Sequence, residues 1–131
     1  MNTDPLSDMI IRLKNAQAAG RPSALVPFSE LKWAVAETLK KAGYLKALAK
    51  KGKKTKKFIE ADLVYGPDGA PRIREARRWS KPSARVYHRL GEIRPVRQGY
   101  GIAVYSTSRG ILTDQAAREQ KVGGEVLFKM W

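Results

Sequence analysis

The sequence predicts an α+β (mixed α/β) fold built in small layers and divided into two halves. Residues 1–68 read helix–strand–helix–strand, whereas residues 69–131 are strand-rich with one short helix. A Gly66-Pro67-Asp68-Gly69 turn parts them, as a domain boundary or as the tip of a hairpin.

The elements follow from periodicity and stop signals. Pro5 suits the first turn of a helix capped by Asp4, because its missing N–H costs nothing there. Leu6, Met9, Ile10, Leu13 and Ala16 keep helical spacing, with Arg12, Lys14 and Asn15 off the stripe, and Gly20-Arg21-Pro22 ends the helix. Ala24-Leu25-Val26 is a short strand closed by Pro27. Ser29 caps a second helix, with Leu31, Val35, Leu39 and Ala42 on one face and Gly43 as the stop. The stretch from Lys46 to Lys57 reads as a solvated hairpin or loop. Strands are expected over Phe58–Tyr65, Ile73–Trp79 and Arg85–Arg89, and Ile102–Tyr105 is the best buried strand. Thr113 or Asp114 caps a short helix through about Glu119, and residues 126–131 form a terminal strand.

Charge narrows the partner. Twenty-six lysines and arginines against 12 acids give a formal net charge of +14, so the partner is a polyanion. The charge is uneven: seven lysines and no acid occupy 46–57, and nine bases against two acids occupy 71–99. With no cysteine, disulfides and thiolate zinc sites are excluded. No apolar run approaches the ~20 residues that span a bilayer. The opening residues carry Asp4 and Asp8 and lack the basic segment of a secretory signal.

The chemistry concentrates in 99–125. A hydrophobic strand delivers Ser106, Thr107, Ser108 and Arg109 to Gly110, and Gly123-Gly124-Glu125 follows. Hydroxyls and amides on a rigid turn suit hydrogen bonding to RNA sugars, phosphates and splayed bases, or they bond their own backbone. A nucleophilic serine needs a base and an orienting group; the single histidine, His88, sets up no triad, and no metal set is present. Neither enzyme activity nor a cofactor is expected. The double glycine either admits a ligand or, as the better reading, ends the short helix in a left-handed residue. Tyr87, between Arg85 and Arg89, stacks on an unpaired base or sits half-buried on an edge strand. Trp79 and Trp131 read as core or interface fillers.

These residues in register resemble the bacterial small-ribosomal-subunit protein eight family, over essentially the whole chain. The resemblance rests on Asp4-Pro5-Leu6-Ser7-Asp8-Met9-Ile10, Ser29-Glu30-Leu31-Lys32, Gly43-Tyr44-Leu45 and residues 80–87. It rests above all on Gly101-Ile102-Ala103 through Ser106-Thr107-Ser108-Arg109-Gly110, with Thr113-Asp114 and Val122-Gly123-Gly124-Glu125. It implies two small domains, residues 1–68 with helices on a short sheet and 69–131 as a β-rich RNA-binding domain. It also implies a primary binder of central-domain rRNA in the small subunit, in the cytoplasm, recognising an irregular stem and helping assembly. The RNA contacts it implies are Ser106, Thr107, Ser108, Arg109, Gly110, Tyr87, Arg85, Gly124 and Glu125, with Lys14, Asn15 and Lys32 from the first domain. In that setting Glu125 accepts from a base edge or orients the serines, since a bare carboxylate would be repelled by phosphate. Neighbouring small-subunit proteins are further partners. Some members repress their own operon messenger RNA, a role residues alone do not carry over. Lys50–Lys57 is denser in lysine than the family pattern, Tyr105 replaces an aliphatic residue, and Trp79 is bulkier. The alternative from composition is a basic adaptor for nucleic acid or anionic membrane; its basic blocks lie outside the helices, against a membrane-surface helix.

Overall fold

The computed structural model describes residues 4–131, which divide into two compact units: Pro5–Arg74, and Glu75–Trp131 together with Asp4. The expected partition at 68/69 falls in the Gly66–Gly69 turn, which lies inside the first unit.

The first unit contains α1 (Pro5–Ala18), β1 (Ser23–Pro27), α2 (Glu30–Lys41), β2 (Leu45–Lys53) and β3 (Lys56–Leu63). The strands form an antiparallel sheet in the order β1-β3-β2. Ala24 faces Ala61 and Val26 faces Ile59, so small and branched side chains align on one buried face while Leu25 and Glu60 share the other. Against it lie Leu6, Met9, Ile10 and Leu13 of α1 and Val35, Ala36 and Leu39 of α2. Ser29 caps α2 as expected, its hydroxyl accepting from the Lys32 N–H at 3.1 Å.

The buried face of α2 is rotated from the expected one. Leu31 is 43% exposed, while Lys32, Val35, Ala36 and Leu39 are buried. The inward stripe starts one residue later because the i, i+3, i+4 set through Val35 and Leu39 is completed by Lys32 and Ala36. The lysine-rich segment is an ordered antiparallel hairpin, turning at Lys54-Thr55. Gln17 on α1 is buried, donating to the Val64 carbonyl at 2.7 Å and accepting from the Ile73 N–H at 2.8 Å. Residues 64–73 are thereby held without a strand ladder.

The second unit contains β4 (Ala76–Arg78), β5 (Tyr87–His88), β6 (Ile102–Thr107), β7 (Gly110–Thr113), α3 (Asp114–Gln120) and β8 (Gly124–Met130). β8 pairs with β6 on one side and with β4 and β5 on the other, and β7 flanks β6. The two strands expected over 73–79 and 85–89 shrink to three and two residues. Beyond those, the chain bends through Lys81-Pro82-Ser83, and only residues in register with β8 gain ladder partners. A bulge at Leu127 interrupts β6·β8. The Leu127 carbonyl takes hydrogen bonds from the Trp79 N–H and the Arg78 guanidinium, which also grips both Asp4 oxygens at 2.9 and 3.1 Å.

Ile93, Val96, Ala103, Tyr105, Ala117 and Val126 form one buried cluster, with Trp79 and Trp131 packed against it, as expected for fillers, and Val104, Leu127, Phe128 and Met130 are buried outside it. Thr113 caps α3 and accepts from the Ala116 N–H. The left-handed stop of α3 is Lys121 (φ 56°), not the double glycine. Gly123 and Gly124 serve close packing instead. A Cβ on Gly123 would lie 2.5 Å from the His88 carbonyl oxygen, and one on Gly124 would overlap that of Ser106.

Candidate nucleic-acid interface

Sheet register assembles the predicted residues of the second unit. Ser106 on β6 pairs with Glu125 on β8, and Glu125 pairs with Tyr87 on β5. Directly paired residues share a face, so a hydroxyl, a carboxylate and a phenol stand in a row across three strands, spaced ~4.8 Å apart. Tyr87 is 67% exposed. Gly124 lets β8 approach the Ser106 backbone this closely.

Ser108 and Arg109 form the two-residue turn between β6 and β7, closed by Gly110 at φ 102°. The Thr107 hydroxyl builds this turn. It accepts from the Arg109 N–H at 3.0 Å and donates to the Gly110 carbonyl at 2.8 Å. Among the described residues, the Ser106 and Ser108 hydroxyls make no hydrogen bond, and Arg109 has no ion pair. One of the three hydroxyls is therefore structural, and two are open to a ligand.

Glu125 turns to neither serine. Its carboxylate pairs with Arg85 at 3.1 Å. The same guanidinium nitrogen reaches the other carboxylate oxygen at 3.4 Å, and it offsets the negative charge that would repel a phosphate.

Beneath the row, His88 Nδ1 lies 2.8 Å from the Tyr105 hydroxyl, and Trp79 meets the imidazole edge-on at 5.1 Å between centroids. The one histidine is thus bonded to a core tyrosine and not to a serine. Burial, then the nearby Asp114 carboxylate, pushes the Tyr105 phenol up to about 12. Among the described residues no group of His, Cys, Asp or Glu could hold a metal ion, and no helix is long and apolar enough to cross a membrane.

The other predicted contacts belong to the first unit. Asn15 is exposed and Lys14 half-buried on α1. Lys32 is only 7% exposed, on the inner face of α2, and offers little surface to a phosphate. The structure adds basic–aromatic contacts that the sequence reading does not contain. Lys129 Nζ sits 3.8 Å from the Trp79 ring centroid and Arg97 4.2 Å from that of Trp131. Lys50 lies over both Phe28 and Trp33, at 5.3 and 4.8 Å. Tyr100 is 80% exposed. For the C-terminal pair, the signal in the chain is the alternation Arg77-Arg78-Trp79 and Lys129-Met130-Trp131.

The family described as "Ribosomal protein S8" has a sequence model that matches residues 4–131. The chain belongs to the ribosomal protein S8 family. Its relatives include the small ribosomal subunit protein uS8 of Persephonella marina, 44% identical over the full length of both chains. That of Rubrobacter xylanophilus is 44% identical over 95% of this chain and 94% of its own, as is that of Neisseria meningitidis serogroup C. For this S8-family chain, the hydroxyl row and the basic surface are the features that a function must use.

Proposed function

We propose that this S8-family protein is a structural constituent of the bacterial small ribosomal subunit, working in the cytoplasm as an rRNA-binding protein. The carrying observation is the alignment of Tyr87, Glu125 and Ser106 across three strands, beside a Ser108-Arg109 turn that Thr107 holds rigid. Unbonded hydroxyls at fixed spacing suit 2′-hydroxyls and sugar edges in a shallow RNA groove, and an exposed tyrosine suits an unstacked base. Lys46–Lys57 and the arginines of 72–97 supply the sequence-independent attraction that speeds encounter. The RNA is an irregular stem with an internal loop in the central domain, because an internal loop joins splayed bases to an accessible minor groove. Gly110 and Gly124 contribute by shaping the edge, and Lys14 and Asn15 add contacts from the first unit. Bound RNA is fixed in one fold against which neighbouring subunit proteins dock. An operon messenger RNA folding the same stem would compete for the same edge. The chemistry is binding, not turnover.

The test is affinity for such a stem against a fully paired duplex across ~50–200 mM salt. The double variant Ser106→Ala/Ser108→Ala is expected to lose the stem at least tenfold and the duplex hardly at all. Equal loss on both RNAs removes the shape-reading role.

A further inference from the structure

On the opposite face of the same sheet, the β-ladder does something costly. Arg77 of β4 pairs directly with Lys129 of β8, and like charges opposite one another destabilise a sheet. Neither side chain has a carboxylate partner among the described residues, nor does Arg97 nearby. All three are set on indoles: Lys129 on Trp79, and Arg77 and Arg97 on Trp131 at 5.9 and 4.2 Å. Burial, then the Arg77 charge, holds the Lys129 ammonium below the usual lysine range.

Arg97 is delivered by a backbone that resists it. Arg97 and Gln98 are consecutive non-glycine residues in the left-handed region, at φ 51° and 57°. The turn closes through Gly101, whose N–H bonds the Val96 carbonyl at 3.1 Å, and it leaves Tyr100 exposed. Such strain persists where position matters more than stability. A guanidinium held over an indole is restrained in place and keeps N–H groups free for a phosphate.

We propose that Arg77, Lys129 and Arg97, fixed on Trp79 and Trp131, form a second phosphate-binding face that takes a separate RNA duplex segment, so that the protein bridges two RNA segments. The inference rests on the RNA-binding reading above. Register supplies the separation. Ala103 is the β6 partner of Lys129, and Ser106 is the β6 partner of Glu125. Three residues apart, they point to opposite faces, ~10 Å apart along the strand. An RNA seated on the Ser106 face therefore does not cover the exposed Arg77 and the half-buried Lys129, which stand beside the core packed on this side.

The probe is a short fully paired RNA duplex, added to protein already saturated with the irregular stem, and to free protein. A ternary complex is expected. Arg77→Gln/Lys129→Gln is expected to weaken duplex binding at least tenfold and to lower the log–log salt slope by about 1.8, for two phosphate contacts at ~0.9 each. The variant should lose the stem far less than the duplex, because Arg77 gives the stem only part of its sequence-independent attraction while the Ser106 row is untouched, and its unfolding midpoint should hold, since relief of like-charge repulsion offsets the lost ring contacts. Absence of a ternary complex overturns the proposal, as does duplex binding unchanged by the double substitution. If poly-glutamate binds this face and the duplex does not, the face receives acidic protein and the proposal is likewise overturned. If the stem itself fails to bind, the proposed function fails, and the free-protein duplex titration still reads this face.

Discussion

Gly123→Ala tests how the recognition edge is held together. The added Cβ would lie 2.5 Å from the His88 carbonyl oxygen, 3.1 Å from Arg89 Cα and 3.2 Å from Leu90 N, all backbone atoms. Ordinary contact begins at 3.4 Å, so the His88–Leu90 backbone must retreat by about 0.9 Å. β5 is two residues long and cannot absorb that shift along a ladder. A ~2.9 Å hydrogen bond stretched to ~3.8 Å is broken. The 2.8 Å contact of His88 with Tyr105 stretches similarly. Two bonds at ~1 kcal/mol each give a loss of about 2 kcal/mol, within the usual range for overpacking. Urea unfolding should show the midpoint falling by about 1 M. Tyr87 should leave its place beside Glu125, weakening the irregular stem more than the paired duplex. Gly91→Ala is the control, because nothing lies within 4 Å of its Cβ. A Gly123→Ala midpoint indistinguishable from that of Gly91→Ala would refute the close-packing role.

Three further outcomes are expected. The Tyr105 phenol is held at about 12 in the folded chain against 10.0 ordinarily, so its contribution is intact below pH 10 and is lost as pH rises from 10 to about 12. Tyr105→Phe should flatten the stability–pH curve in that window, and an unchanged slope would mean the phenol ionises freely. Thr107→Ala removes both turn hydrogen bonds and should cost ~1–2 kcal/mol, with faster hydrogen exchange at the Arg109 amide; unaltered protection would count against the turn's dependence on this hydroxyl. Changing Lys51, Lys53, Lys54 and Lys56 to glutamine spares the ring-bound Lys50 and Lys57. The log–log salt slope should then flatten by ~0.9 for each phosphate that is no longer neutralised, and an intact slope means the hairpin meets no phosphate.

What is legible in the sequence follows a physical rule. The α1 stripe, the Ser29 and Thr113 caps and the buried β6 strand depend on residues near one another in the chain, and local pattern carries them. Gly123 and Gly124 look like a helix stop from their neighbours, but the backbone they accommodate belongs to His88 and Ser106, 35 and 18 residues earlier. The charge of Lys32 argues for exposure, yet its position relative to Val35 and Leu39 turns it inward. The hydroxyl row is half legible. Ser106 through Arg109 stand out as a segment, but Thr107's structural duty, the Arg85–Glu125 pair and the alignment with Tyr87 exist only in the register. The Arg77–Lys129 pairing is equally hidden, since nothing local joins residues 52 positions apart.

β8 follows every strand it pairs with, and that order has a consequence for synthesis. Its partners are remote: Ala76 meets Met130, Tyr87 meets Glu125 and Ile102 meets Met130. Contacts this distant slow folding, since the closure entropy is met before any ladder forms. The first unit has all of its strands by residue 63 and can fold while the ribosome is still translating. The second can close only the β6–β7 hairpin early; β4, β5 and the other edge of β6 stay unpaired until the hub strand leaves the exit tunnel. The row of Ser106, Glu125 and Tyr87 therefore aligns last, so a truncated nascent chain carries the Lys46–Lys57 hairpin well before the proposed recognition edge is assembled.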